Sequence, residues 1–102
     1  MIRHVVMWRL KDEALGMAKP QLAAELKARL EGLIGKVPNI LTFEVGLNEV
    51  PADMASDVCL VTTFEDLAGL KAYAEHPEHQ KVVAFVKEVV AERRASDYEV
   101  LA

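Results

Sequence analysis

The stretch Tyr73-Ala74-Glu75-His76-Pro77-Glu78-His79, followed by Val82, Val83, Phe85 and Val86, decides how this chain is read. Pro77 has no amide hydrogen and a fixed φ, so it breaks a helix interior but suits the first turn of a new helix. The helix carrying Tyr73 is therefore expected to stop near Glu75 or His76, and another to start at Pro77. Two of the three histidines and a phenol gather at that corner. Neutral imidazole and phenol both give and take hydrogen bonds, so the corner suits general acid-base chemistry. Histidines at a helix start also serve as plain caps, and spacing does not separate the two roles.

Around the corner the hydrophobic pattern alternates between the two regular periods. Residues 2–10 alternate as a strand, with Ile2, His4, Val6, Trp8 and Leu10 on one face and Val5 and Met7 between Arg3 and Arg9 on the other. Residues 11–19 are a charged, glycine-containing connection, and Pro20 suits a first helical turn. From 21 to 34, Leu22, Leu26, Leu30, Leu33 and Ile34 recur every three or four residues as an amphipathic helix. Gly35 reads as its stop and Pro38-Asn39 as a turn. Residues 40–47 form a second strand with Leu41, Phe43, Val45 and Leu47 on one side, 48–56 a long loop, and 57–64 a third, almost uniformly apolar strand. A short helix over 65–75 places Leu67, Leu70 and Tyr73 on one stripe. A further helix is expected from Pro77 to about Arg94, with Tyr98, Val100 and Leu101 in a fourth strand.

This order, β-α-β-β-α(α)-β, is the α+β ferredoxin-like arrangement, a four-stranded antiparallel sheet with helices on one face. A sheet covered on one side should alternate apolar with polar residues, yet strands one and three are apolar on both faces. Val5, Met7, Cys59 and Val61 need a cover, and a second copy packed sheet to sheet across a twofold axis supplies it.

The run Asp66-Leu67, Tyr73, His76-Pro77-Glu78-His79, Val82-Val83 and Phe85 resembles the signature of the Dabb family, the stress-responsive dimeric α+β barrel domain. Residues 4–10 (His-Val-Val-Met-Trp-Arg-Leu) resemble the family's first strand, Phe43-Glu44-Val45-Gly46 its second, and Asp97-Tyr98-Glu99 its last. The resemblance covers nearly the whole chain. It implies a dimeric barrel and, through similarity to olivetolic acid cyclase-type polyketide cyclases, cofactor-free aldol chemistry. Carried over by position, the catalytic roles fall on Tyr73 and His79, with His4 lining the same pocket. Trp8 departs from the cyclase pattern, which has a smaller aliphatic residue there. Ala23, Ala24 and Ala28 stand where the cyclases' first helix is rich in aromatics. Val6, Trp8 and Val83 are expected to line the cavity beside His4, and His76 with Pro77 to brace the turn. Some plant relatives hold a cation on main-chain carbonyls after the first helix, which corresponds to residues 33–37.

The functional reading is a stress-responsive homodimer with a pocket for a small hydrophobic or carbonyl-bearing compound, polyketide-like or aromatic. Whether that pocket is an enzyme, a cofactor-independent cyclase or lyase, is left open. The alternative is a non-catalytic binding or structural protein, and a cofactor-free monooxygenase ranks behind both. No cofactor is expected. His4, His76 and His79 could in principle hold zinc, but no further ligand falls at suitable spacing, so no metal is expected.

Composition narrows the classes. A chain of 102 residues suits one domain spanning 1–102, and a hydrophobic share of 52% suffices for a core. A net charge of −4 without a basic run speaks against nucleic acid. A single Cys59 cannot form an internal disulfide and reads as a buried strand residue. Nothing resembles a signal peptide or reaches the roughly 20 apolar residues of a membrane span, so a cytoplasmic protein without membrane contact is expected.

Overall fold

The first strand, β1 (Ile2–Leu10), is the one the rest is assembled on. The computed structural model describes residues 1–101. Next come a two-residue hairpin, β2 (Glu13–Ala14) and β3 (Met17–Ala18), and helix α1 (Lys19–Glu31). Then follow β4 (Thr42–Leu47), β5 (Val58–Phe64), α2 (Leu67–Glu75), α3 (Pro77–Val89) and β6 (Val90–Glu99). The main sheet has the order β4-β5-β1-β6 with every pair antiparallel. This is the ferredoxin-like α+β fold expected from the element order.

Cross-strand partners face the same side of a sheet. His4, Val6 and Trp8 therefore share the helix side with Thr62, Leu60 and Val58, their β5 partners, and with Asp97, Ala95 and Arg93, their β6 partners. Val6, Trp8, Leu60 and Phe64 join Leu22, Leu26 and Leu30 of α1 and Val82, Phe85 and Val89 of α3 in one core. On the other side Val5, Cys59 and Val61 are only half-buried and Met7 is 41% exposed. The two-faced apolar pattern is thus real, and its outer half lacks a cover among the described residues.

Several boundaries differ from the sequence expectation, among them the starts of β4 at Thr42 and of α2 at Leu67. Helix α3 ends at Val89 rather than near Arg94, and β6 starts at once with Val90, so Val100 and Leu101 lie beyond the strand. Ala91, Glu92, Arg93 and Arg94 favour a helix locally, but pairing along the whole free edge of β1 outweighs that preference. Helix α1 stops at Glu31, and Ile34, expected on its buried stripe, lies outside it and is 55% exposed. Gly35 does not end the helix; its φ of 86° sits in the turn that brings Val37 back to the core. The connection after β1 contains a hairpin because Leu15 and Gly16 both take positive φ, the geometry of a type I′ turn.

Candidate functional site

The helix corner is built by one residue with two jobs. His76 caps the end of α2 and the start of α3, with extended backbone (φ −65°, ψ 135°) as the following proline favours. Its Nδ1 accepts from the Glu78 amide at 3.1 Å, satisfying one of the first orphan donors of α3. Pro77 occupies the first turn and has no amide hydrogen to satisfy. At the other end of α2, Asp66 accepts from the Gly69 amide at 2.8 Å. Fixed at both ends, α2 places Tyr73 inward, where it is 1% exposed.

Tyr73 is the hub of four rings. His79 lies 4.4 Å away between centroids, Phe64 5.0 Å and His4 6.1 Å in an edge-on arrangement. The Tyr73 hydroxyl is buried and has no hydrogen-bond partner among the described residues. Burial pushes the phenol pKa well up, so Tyr73 stays protonated and can act as a donor.

His79 does not bond to Tyr73. Its Nδ1 meets the Ala74 carbonyl at 3.1 Å, one of the free carbonyls at the end of α2, which Gln80 Nε2 also reaches at 2.6 Å. A carbonyl only accepts, so Nδ1 carries the hydrogen and Nε2 of the neutral ring is left as an acceptor. Burial lowers the His79 pKa, opposed by the Ala74 bond and aided by the charges of His4, Arg93 and His76. The leading cause is burial. His79 is therefore a neutral imidazole near pH 7 with a bare Nε2, the state a general base requires.

His4 is buried on β1, and its Nδ1 is hydrogen-bonded to the Asp97 carboxylate across the β1–β6 ladder. Asp97 was not legible as a site residue. It belongs to a recognisable strand segment, but only the register shows that it faces His4. Val6 is fully buried between His4 and Trp8 on the same strand face. Trp8 is 5% exposed and its Nε1–H, like the Tyr73 hydroxyl, is buried without a partner among the described residues. Val83 is half-buried, while the buried stripe of α3 consists of Val82, Phe85 and Val89.

Three surface clefts lie elsewhere. One opens on the outer sheet face around Met7, Cys59 and Arg94, one between the start of α1 and the 48–57 loop, and one beside Asn39 and Asp66. None of these is lined by Tyr73 or His79. In the 33–37 turn the Leu33 carbonyl already accepts from the Lys36 and Val37 amides. Among the described residues no group of three or more His, Cys, Asp or Glu is placed to hold a metal ion, and no helix is long and apolar enough to cross a membrane.

The lowered pKa of His79 has a thermodynamic sign. Below about pH 6.5, the ordinary histidine value, the unfolded chain binds the proton more readily than the folded one. This residue's contribution to stability is therefore complete above that value and is lost as the pH falls towards the folded pKa. His79→Asn keeps a donor for the Ala74 carbonyl but does not titrate. Wild type is expected to lose more stability than His79→Asn between pH 7.5 and pH 5, read by urea unfolding at both; parallel losses would contradict the assignment.

A family model described as the stress responsive A/B barrel domain, Dabb, matches residues 2–100. The chain belongs to the Dabb family. An uncharacterised Streptomyces coelicolor protein is 33% identical to this Dabb chain over 99 residues, covering 97% of the chain and 99% of the relative. A crystal structure of a dimeric ferredoxin-like protein of unknown function from Bacteroides fragilis superposes with a TM-score of 0.85 at 31% identity. That match covers 97% of this chain and 95% of the other. A hydroxynitrile lyase from Passiflora edulis shares the fold, with a TM-score of 0.82 at 17% identity over 98% and 93% of the two chains.

Proposed function

We propose that this Dabb protein works as a homodimer joined through the outer faces of its sheets. Each subunit carries a small-molecule site at the helix corner, where His79 and Tyr73 act without a cofactor on a carbonyl-bearing compound, polyketide-like or aromatic. The observation that carries this reading is the Tyr73 hydroxyl, a buried polar group with no partner beside an imidazole whose Nε2 is bare. An orphaned donor of this kind costs about 1–3 kcal/mol in folding, and a ligand oxygen relieves that cost. In the reaction, His79 Nε2 takes a proton from the carbon next to the carbonyl. Tyr73 donates to the carbonyl oxygen as negative charge gathers there. The Asp97 carboxylate orients His4 at the rim of the same ring cluster.

The dimer is supported by the uncovered stripe of Val5, Met7, Cys59 and Val61 and by the dimeric relative from Bacteroides fragilis. A catalytic use is consistent with the lyase that shares the fold. One observation favours the non-catalytic reading instead: the phenol is sealed from solvent and none of the three clefts leads to it. His79 itself is half-buried.

A thermal-shift screen of wild type and His79→Ala against β-keto acids, phenolic acids and quinones separates the two. A ligand at 100 times its Kd adds about 2.7 kcal/mol to the native state. Stabilisation that is present in wild type and absent in His79→Ala is expected. Compounds that stabilise both proteins equally would remove His79 from the site.

A further inference from the structure

On the helix side of β6, Arg93 has no salt-bridge partner among the described residues. Arg93 lies opposite Trp8 in the β1–β6 register, just as Asp97 lies opposite His4. Both therefore project from β6 to the helix side of the sheet, a carboxylate at one end and a guanidinium four residues away. At about 3.3 Å per residue their backbones are separated by about 13 Å. Asp97 is engaged by His4. Among the described residues no carboxylate lies within 4 Å of Arg93, although its neighbour Arg94 is paired with Glu92. The Arg93 charge also reaches the site, since it is one of the groups that hold the His79 pKa down.

Trp8, the register partner of Arg93 on β1, carries the second orphan of the interior, its buried Nε1–H. An indole N–H can only donate. A guanidinium and an unsatisfied donor carried by register partners on one sheet face suit an anionic acceptor, and the planar fork of arginine matches a carboxylate well. The Asp97 end repels such a group. The face is thus sorted by charge, negative beside His4 and positive beside Trp8.

We infer that the ligand of this site is a small carboxylic acid, held with its acid group towards Arg93 and Trp8 Nε1 and its carbonyl or ring towards Tyr73 and His79. This rests on the reading of Tyr73 and His79 given above, and it narrows the ligand from carbonyl compounds in general to acids.

The matched probes 4-hydroxybenzoate and 4-hydroxybenzamide test it, titrated into the 15N-labelled full chain. The chain has one tryptophan, so a single indole N–H signal reports on Trp8. Wild type is expected to bind the benzoate at least tenfold more tightly than the amide, with movement of the indole signal. Arg93→Gln, an exposed position, is expected to remove that preference while leaving the affinity for the amide unchanged. Trp8→Phe should weaken the benzoate while keeping an aromatic ring in the core. A preference that survives Arg93→Gln, or an indole signal that stays still, overturns the inference. Equal binding of both probes that is lost in Tyr73→Phe overturns the acid end and leaves the Tyr73–His79 reading standing. An Arg93-dependent preference indifferent to Tyr73→Phe and His79→Ala supports the acid end and sinks that reading. Binding of neither probe to wild type overturns both.

Discussion

Tyr73→Ala is expected to destabilise the protein by about 3–5 kcal/mol, the usual cost of truncating a fully buried aromatic side chain. Tyr73 is 1% exposed and packs against Phe64, His79 and His4, so its loss leaves a cavity lined on three sides by rings. Tyr73→Phe should move stability the other way, upward by about 1 kcal/mol, because it deletes an oxygen that is buried without a partner while keeping the ring. The sign of the second change is the informative one. A phenol retained for packing alone gains nothing from its hydroxyl, whereas a phenol retained for a ligand holds a standing cost in the empty state. Denaturant unfolding at one fixed protein concentration measures both, since dimerisation would make stability depend on concentration. If Tyr73→Phe costs stability instead, the hydroxyl already has a partner and the site reading loses its main support.

The second large effect is expected at the outer sheet face. Val61 lies opposite Val5 on β1 and opposite Glu44 on β4. Val61→Asp would place a carboxylate in the middle of the apolar stripe and beside an existing one. An uncompensated charge buried at an interface costs about 3–5 kcal/mol, enough to turn a moderately tight dimer into monomers. Sedimentation velocity on Val61→Asp should show the monomer at concentrations where wild type is dimeric. A dimer that persists unchanged would mean the subunits meet elsewhere. Glu44 already marks this stripe electrostatically: the Cys59 thiol is held above its ordinary pKa, first by burial and then by the Glu44 carboxylate.

Much of the fold was legible because it rests on local chemistry. Pro77 dictated the corner, and the alternation of Ile2–Leu10 gave both faces of β1, including the side His4, Val6 and Trp8 share. Element order then left few ways to arrange four strands. What could not be read was decided by partners distant in sequence. Residues 90–94 look helical and become strand because an edge of β1 is free to pair with them. Asp97 becomes the partner of His4, and Arg93 the neighbour of Trp8, through the same register, which no spacing in the sequence reveals. The tautomer of His79 hangs on a main-chain carbonyl, and every residue carries one of those.

Helix α3 passes into β6 without a connecting residue, Val90 being both the cap of the one and the start of the other. The junction therefore has no slack. His79 near one end of α3 and Arg93 and Asp97 on β6 are links of one continuous, loop-free linkage. A residue inserted between Val89 and Val90 could not be absorbed in a loop. Taken up by a one-step slip of β6 against β1, it would turn every side chain of the strand to the opposite face. Arg93 and Asp97 would then point away from the helix side of the sheet, and Arg94, Ser96 and Tyr98 would point towards it. Length is thus as strictly specified at this joint as residue type is at the corner.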